Sequence, residues 1–221
     1  MQRLGIVHTV SQLAPTFADL VRELLPGVET TVITDELLLK RTVRDGAVDD
    51  VTRLRLREHV EDLAGFGVDA VLVTCSSVGG VVDELGRGAA IPVLRVDRAM
   101  AEEAVRIGRR VGVLATLPTT LTPTTELVES VAREAGHDVT VVARLCAGAF
   151  EALGRGDVAL HDRIVADELD KLAQDVDVVV LAQASMARIA AGRPAGGVPV
   201  LSSPRLAVEQ LAARLNHVSG D

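Results

Sequence analysis

Val68-Asp-Ala-Val-Leu-Val-Thr-Cys75-Ser-Ser-Val78 and Val176-Asp-Val-Val-Val-Leu-Ala-Gln183-Ala-Ser-Met186 share one plan, about 108 residues apart. Each is a Val-Asp pair, an unbroken apolar run, a short tip and then a segment that opens a helix. Apolar residues in a continuous run, rather than in alternation, mark a strand buried on both faces, as in a parallel sheet covered by helices. Working outward from this stretch, Arg3-Leu-Gly-Ile-Val-His-Thr9 returns as Arg110-Val-Gly-Val-Leu-Ala-Thr116. Gly27-Val-Glu-Thr-Thr-Val-Ile33 returns as Gly136-His-Asp-Val-Thr-Val-Val142, and Ile91-Pro-Val-Leu94 as Val198-Pro-Val-Leu201. Four blocks in one order at a nearly constant offset define an internal duplication.

Each copy alternates short β-branched runs with longer helical patterns. Strands are expected at 3–8, 29–34, 69–74 and 91–95, and helices at 14–25, 48–65, 78–86 and 98–108. The second copy repeats the order, with strands at 110–115, 138–143, 177–182 and 198–201 and a helix after each. The expected fold is α/β: two pseudo-symmetric, doubly wound, Rossmann-like halves, each on a four-stranded parallel sheet, with a cleft between them. The halves are 1–107 and 108–221, with the C-terminal helix a candidate to pack back on the first.

Composition narrows the function. The chain has 221 residues, 48% apolar and 24% charged, which is the usage of a globular protein. Phe17, Phe66 and Phe150 are its three aromatic residues, and 31 acidic residues against 23 basic ones leave a formal charge of -8. Nucleic-acid binders stack bases on aromatic rings and neutralise phosphates with cations, so no nucleic-acid partner is expected. No apolar stretch reaches the roughly 20 residues of a membrane span, and the opening Met1–Pro15 lacks the apolar core of a signal peptide. A cytoplasmic protein without a membrane partner is expected, and a homo-oligomer is left open. Cys75 and Cys146 suit neither a disulfide framework nor a structural zinc site and are read as free thiols.

In doubly wound sheets ligands bind beyond the carboxyl ends of the strands. Those positions hold His8, Thr9, Thr34, Asp35, Cys75, Ser76, Ser77 and Asp97 in the first half. In the second they hold Thr116, Thr119, Thr120, Arg144, Cys146, Gln183, Ser185, Ser202 and Ser203. Hydroxyls and helix-start N–H groups of this kind bind a small carboxylate without burying a full opposite charge. Cys75 is the sharpest candidate, because a thiol between a buried strand and a helix start has its thiolate favoured below the free pKa of about 8.5. A thiolate removes a proton or attacks carbon. The same stretch also suits a small buried residue followed by an ordinary serine cap. Cys146 reads as a core residue beside Phe150. The spacing of His8, Asp35 and Asp97 demands no metal, and Gly79-Gly80 form neither a dinucleotide fingerprint nor a P-loop.

The duplicated halves, the Thr-Cys-Ser-Ser motif at 74–77 and Val-Gly-Val-Leu-Ala-Thr-x-x-Thr at 111–119 resemble the aspartate/glutamate/hydantoin racemase superfamily, which also holds maleate isomerase and arylmalonate decarboxylase. The resemblance implies a cofactor-independent isomerase acting on a small carboxylic acid, with one cysteine in each half facing the carbon next to the carboxylate. Cys75 then matches the first cysteine, with Ser76 and Ser77 beside it, and Thr116, Thr119 and Thr120 match carboxylate-holding threonines. Thr9 and Ser185 join the substrate-binding set. The second cysteine is replaced by Gln183, whose amide cannot serve as a base. The resemblance thus implies a one-thiol enzyme: Cys75 as base or nucleophile, Gln183 as donor to a developing enolate, and His8 as second acid or base. A decarboxylase or lyase of a small dicarboxylic acid and a non-catalytic carboxylate-binding protein are the alternatives.

Overall fold

The computed structural model describes residues 2–192 and 196–218. The first sheet is built by β1 (Arg3–His8), α1 (Ala14–Leu24), β2 (Glu29–Thr34), α2 (Glu36–Asp45), α3 (Asp50–Phe66), β3 (Ala70–Val73), α4 (Gly79–Gly86) and β4 (Val93–Arg95). All its strands are parallel, in the order β2-β1-β3-β4. The second follows the same plan with α5 (Arg98–Ile107), β5 (Arg110–Ala115), α6 (Pro118–Glu134), β6 (Thr140–Leu145), α7 (Ala149–Gly154), α8 (Val158–Leu172), β7 (Val178–Leu181), α9 (Ala187–Ala191) and β8 (Val200–Ser202). It is again parallel, in the order β6-β5-β7-β8. The α/β fold with two four-stranded parallel sheets is therefore the one the repeats predict. Among the described residues no helix is long and apolar enough to cross a membrane.

The repeated residues have matching physical jobs in the two sheets. β3 and β7 are buried along their whole length. Gly5 and Gly112 sit at equivalent points of the first strand of each copy. A Cβ on Gly5 would meet Leu63 Cδ1 at 3.0 Å, and one on Gly112 would meet Leu172 Cδ2 at 2.9 Å. Glycine there lets α3 and α8 lie close on their sheets. Both helices open on an aspartate cap: Asp49 accepts from the Thr52 N–H at 2.7 Å and Asp157 from the Leu160 N–H at 2.9 Å, satisfying donors the helix itself leaves unpaired.

Helix α2 was not expected. Asp35 caps it, accepting from the Leu37 N–H at 3.0 Å. Its inward face is short, Leu38 and Thr42 buried with Leu39 and Val43 half-buried beside them, and exposed Leu37 blurs that stripe in the sequence.

The chain divides into two compact units, residues 1–96 with 204–221 and residues 97–203. Helix α5, at the end of the first sequence repeat, packs on α6 and β7 and so belongs to the second unit. The final helix, α10 (Ser203–Val218), belongs from Pro204 to the first. There Gln2 Nε2 donates to the Leu215 carbonyl at 2.8 Å and Arg205 pairs with Glu23 of α1 at 2.8 Å. The repeat boundary follows the order of elements along the chain; the contacts follow which sheet each helix covers.

Candidate active site

In the first unit, Cys75 stands two residues past the end of β3, in extended conformation, and leads into a 3-10 turn (Ser76–Val78) that continues as α4. It is 7% exposed and shares one apolar cluster with Val7, Val71, Val73 and Leu38. Ser76 and Ser77 beside it are buried. Thr74 faces the other side of the sheet. Its hydroxyl reaches the Val7 carbonyl at 3.3 Å and His8 Nδ1 at 2.8 Å, and the His8 ring lies 5.5 Å from that of Phe17 on α1. His8 and Cys75 thus end neighbouring strands with opposite orientation, as alternation along a strand requires. If the Thr74 hydroxyl donates to Val7, it accepts from His8, which assigns the Nδ1–H tautomer and makes Nε2 the basic nitrogen. Burial pushes the His8 pKa down, so the imidazole is neutral at pH 7. Thr9 is buried next to it.

Asp35 is engaged elsewhere. Its Oδ2 accepts from Arg55 Nη2 at 2.7 Å and lies 2.8 Å from His59 Nε2. Burial raises its pKa, but the His59 and Arg55 hydrogen bonds outweigh that and hold it below the usual carboxylate value. Thr34 is exposed.

In the second unit Gln183 takes the place of Cys75, again heading a 3-10 turn, Ala184–Met186. Its side chain folds back onto Thr116. Oε1 accepts from the Thr116 N–H at 2.6 Å, and Nε2 lies 2.8 Å from Thr116 Oγ1. Thr120 is fully buried, and the buried Thr119 hydroxyl has no hydrogen-bond partner among the described residues. Ser185 uses its carbonyl to accept from Arg188 at 2.6 Å. Cys146 lies in the core with Leu114, Ala149, Val165 and Met186, while Phe150, its expected neighbour, is only half-buried and outside that cluster. Burial pushes the Cys146 thiol up to about 12, which makes it inert at neutral pH. Arg144 pairs with Glu168 at 3.4 Å.

The profile of the Asp/Glu/hydantoin racemase family matches residues 6–211, nearly the whole chain and all of both strand-end sets. The chain belongs to the Asp/Glu/hydantoin racemase family. Solved structures of the same fold include a glutamate racemase isoform from Bacillus anthracis, which is 20% identical with a TM-score of 0.77 over 98% of this chain and 82% of that one. They also include the allantoin racemase of Klebsiella pneumoniae (18% identical, TM-score 0.71, 99% and 89%) and the aspartate racemase of Picrophilus torridus (14% identical, TM-score 0.73, 100% and 95%). No curated protein sequence matches the chain. As a racemase-family protein it is an isomerase-type enzyme, and Cys75 and Gln183 occupy equivalent strand ends in its two copies.

Strand-end reading missed Arg95, the last residue of β4. It is 4% exposed and its Nη1 donates to Asp83 of α4 at 2.6 Å. A signal was present in the repeat itself, since Ile91-Pro-Val-Leu-Arg95 answers to Val198-Pro-Val-Leu-Ser202. An arginine closes one apolar run where a serine closes the other.

Proposed function

We propose that this racemase-family enzyme acts, without a cofactor, at the carbon next to the carboxylate of a small organic or amino acid, with Cys75 as base or nucleophile. The observation that carries the reading is the contrast between the two thiols. Cys75 follows a central strand at a helix start, whereas Cys146 is sealed in the core and held protonated. A thiolate at Cys75 removes the proton beside the carboxylate, or adds to an activated double bond, and the negative charge passes into an enolate.

In the proposed scheme Ser76, Ser77, Thr9, Thr116, Thr119, Thr120 and Ser185 supply neutral donors to the carboxylate. Gln183, its oxygen engaged by the Thr116 N–H, serves through its Nε2–H as a donor and not as a base. Neutral His8, at the tip of the neighbouring strand, is the candidate second acid or base of the scheme. A single thiol favours isomerisation, or protonation of an enolate after decarboxylation, over efficient two-base racemisation.

The test is incubation with a panel of small mono- and dicarboxylic acids and amino acids in deuterated water, followed by NMR. Deuterium entry at the carbon next to the carboxylate, or conversion of the acid, is expected with the native protein and with Cys146→Ser, and is expected to be lost with Cys75→Ser. Turnover surviving in Cys75→Ser overturns the role of the thiol. Binding without any exchange or conversion points to a carboxylate-binding protein instead.

A further inference from the structure

Arg95 takes no part in the chemistry above, yet its placement is built around the strand end that carries the thiol. Its register partner in β3 is Val73, two residues before Cys75. Residues two apart on a strand share a face, and side chains at paired positions of neighbouring strands project to the same side. Val71, Val73 and Cys75 belong to one core cluster, with Val93 of β4 packed against it. Arg95 and Cys75 therefore project from adjacent strands to one side of the sheet.

The guanidinium rests on the backbone of Gly79, the first residue of α4 and four residues beyond Cys75. A Cβ at Gly79 would stand 2.3 Å from Arg95 Nη2 and 2.4 Å from Cζ, so the guanidinium fills the space that a side chain at this position would take. A cation at a helix start opposes the helix dipole, so helix stability does not account for its position. Asp83, which pairs with it, is 39% exposed and partly solvated.

The second copy is an internal control. At the positions equivalent to Cys75, Gly79, Asp83 and Arg95 it has Gln183, Ala187, Ala191 and Ser202. Where the thiol is gone, the arginine, its partner and the glycine that admits it are gone together.

We propose that Arg95 is a positioning residue for Cys75: its guanidinium, lodged on Gly79 and moderated by Asp83, favours the thiolate. This rests on the reading of Cys75 as the reactive thiol. Of the other charges near this face, Asp97, two residues beyond Arg95, is itself fully buried, and the rest are committed elsewhere. Glu84 of α4 pairs with Arg53 of α3, and Asp35 with Arg55 and His59; on α2, Glu36 pairs with Lys40 and Arg41 with Asp49. The remaining charged residues of α3 are exposed, and His8 of β1 lies on the opposite face.

The experiment is the pH profile of Cys75 alkylation by iodoacetamide in the full chain, read peptide by peptide by mass spectrometry. Arg95→Met is expected to raise the midpoint by about one pH unit, slowing labelling at pH 7 roughly tenfold. Asp83→Asn, which unmasks the cation, is expected to lower the midpoint, and Arg95→Lys to stay near the native value. Should Arg95→Met fail to fold, the downward shift in Asp83→Asn still decides the matter. Midpoints that do not move, or that move in the same direction in Arg95→Met and Asp83→Asn as general loosening would produce, overturn the inference while leaving a reactive Cys75 intact. An inert Cys75 in the native protein overturns the reading of the thiol and this inference with it.

Discussion

The tips of the two sheets differ far more than their bodies. Within the central strands the copies exchange one aliphatic residue for another, as with Val7 of β1 and Leu114 of β5 or Val73 of β3 and Leu181 of β7, all fully buried. One step further along, His8 answers to Ala115, Thr74 to Ala182, Asp35 to Cys146, Cys75 to Gln183 and Arg95 to Ser202. The backbone at these points is nonetheless the same. The N–H groups of Asp35 and Cys146 donate to the His8 and Ala115 carbonyls, and those of Thr74 and Ala182 to the Val7 and Leu114 carbonyls. A strand body packed on both faces admits only apolar residues of suitable volume, whereas a tip held by backbone hydrogen bonds leaves its side chain free to specialise. Duplication thus kept a scaffold and varied its tips: His8, Thr74 and Asp35 with the thiol in one copy, and Ala115, Ala182 and Cys146 with an amide in the other.

The largest expected effect comes from making the two tips alike. Cys75→Gln gives each copy an amide, and turnover of any substrate found by NMR should fall by about 10^2- to 10^4-fold, the range for loss of a proton-transfer group. The reverse change, Gln183→Cys, gives each copy a thiol, and a substrate bearing a hydrogen next to its carboxylate should then racemise faster, measured by chiral chromatography. Adding Cys75→Ser to that variant should remove the gain. Efficient racemisation by the native protein that depends on neither His8 nor Gln183 would break the comparison.

A smaller effect is expected at the threonine that Gln183 grips. Thr116→Val removes one hydroxyl donor while nearly keeping shape, and carboxylate binding should weaken by about 1–3 kcal/mol, with a lesser change in stability. Calorimetric titration against urea unfolding separates the two. Equal binding would assign Thr116 to the support of Gln183 alone. Gln183→Ala should cost about 1–2 kcal/mol in urea unfolding, because it leaves the Thr116 N–H without its acceptor.

The smallest effect distinguishes His8 from Ala115. The folded-state pKa of His8 lies below its ordinary value because burial disfavours the charged ring. The unfolded chain therefore binds more protons on falling below pH about 6.5, and His8 lowers stability progressively from that pH toward its folded pKa. Replacing His8 with Phe should flatten the unfolding free energy over that window. An unchanged pH profile would show that His8 is as silent as its counterpart Ala115.

Much of this was legible in one dimension. The repeat, the strand runs and the position of Cys75 followed from short-range pattern, because a buried parallel strand has an apolar signature and the residue after it has a fixed topological place. Helix α2 was not legible, since its buried face is only Leu38 and Thr42 and that burial depends on α3 and the sheet they meet. The sequence also placed Cys146 in the core but could not name its surroundings, which α8 and the turn before α9 supply.

By itself, then, the sequence determined a duplicated α/β chain of the racemase family with one thiol and one amide at equivalent strand ends. Only the tertiary structure decided which side of the sheet each tip faces, that Gln183 closes on Thr116 and His8 on Thr74, and that Arg95 lies on Gly79. The reason is one of range. Periodicity is set by neighbours along the chain, while these pairings join residues 66, 67 and 16 positions apart and exist only once strands and helices have been brought into register.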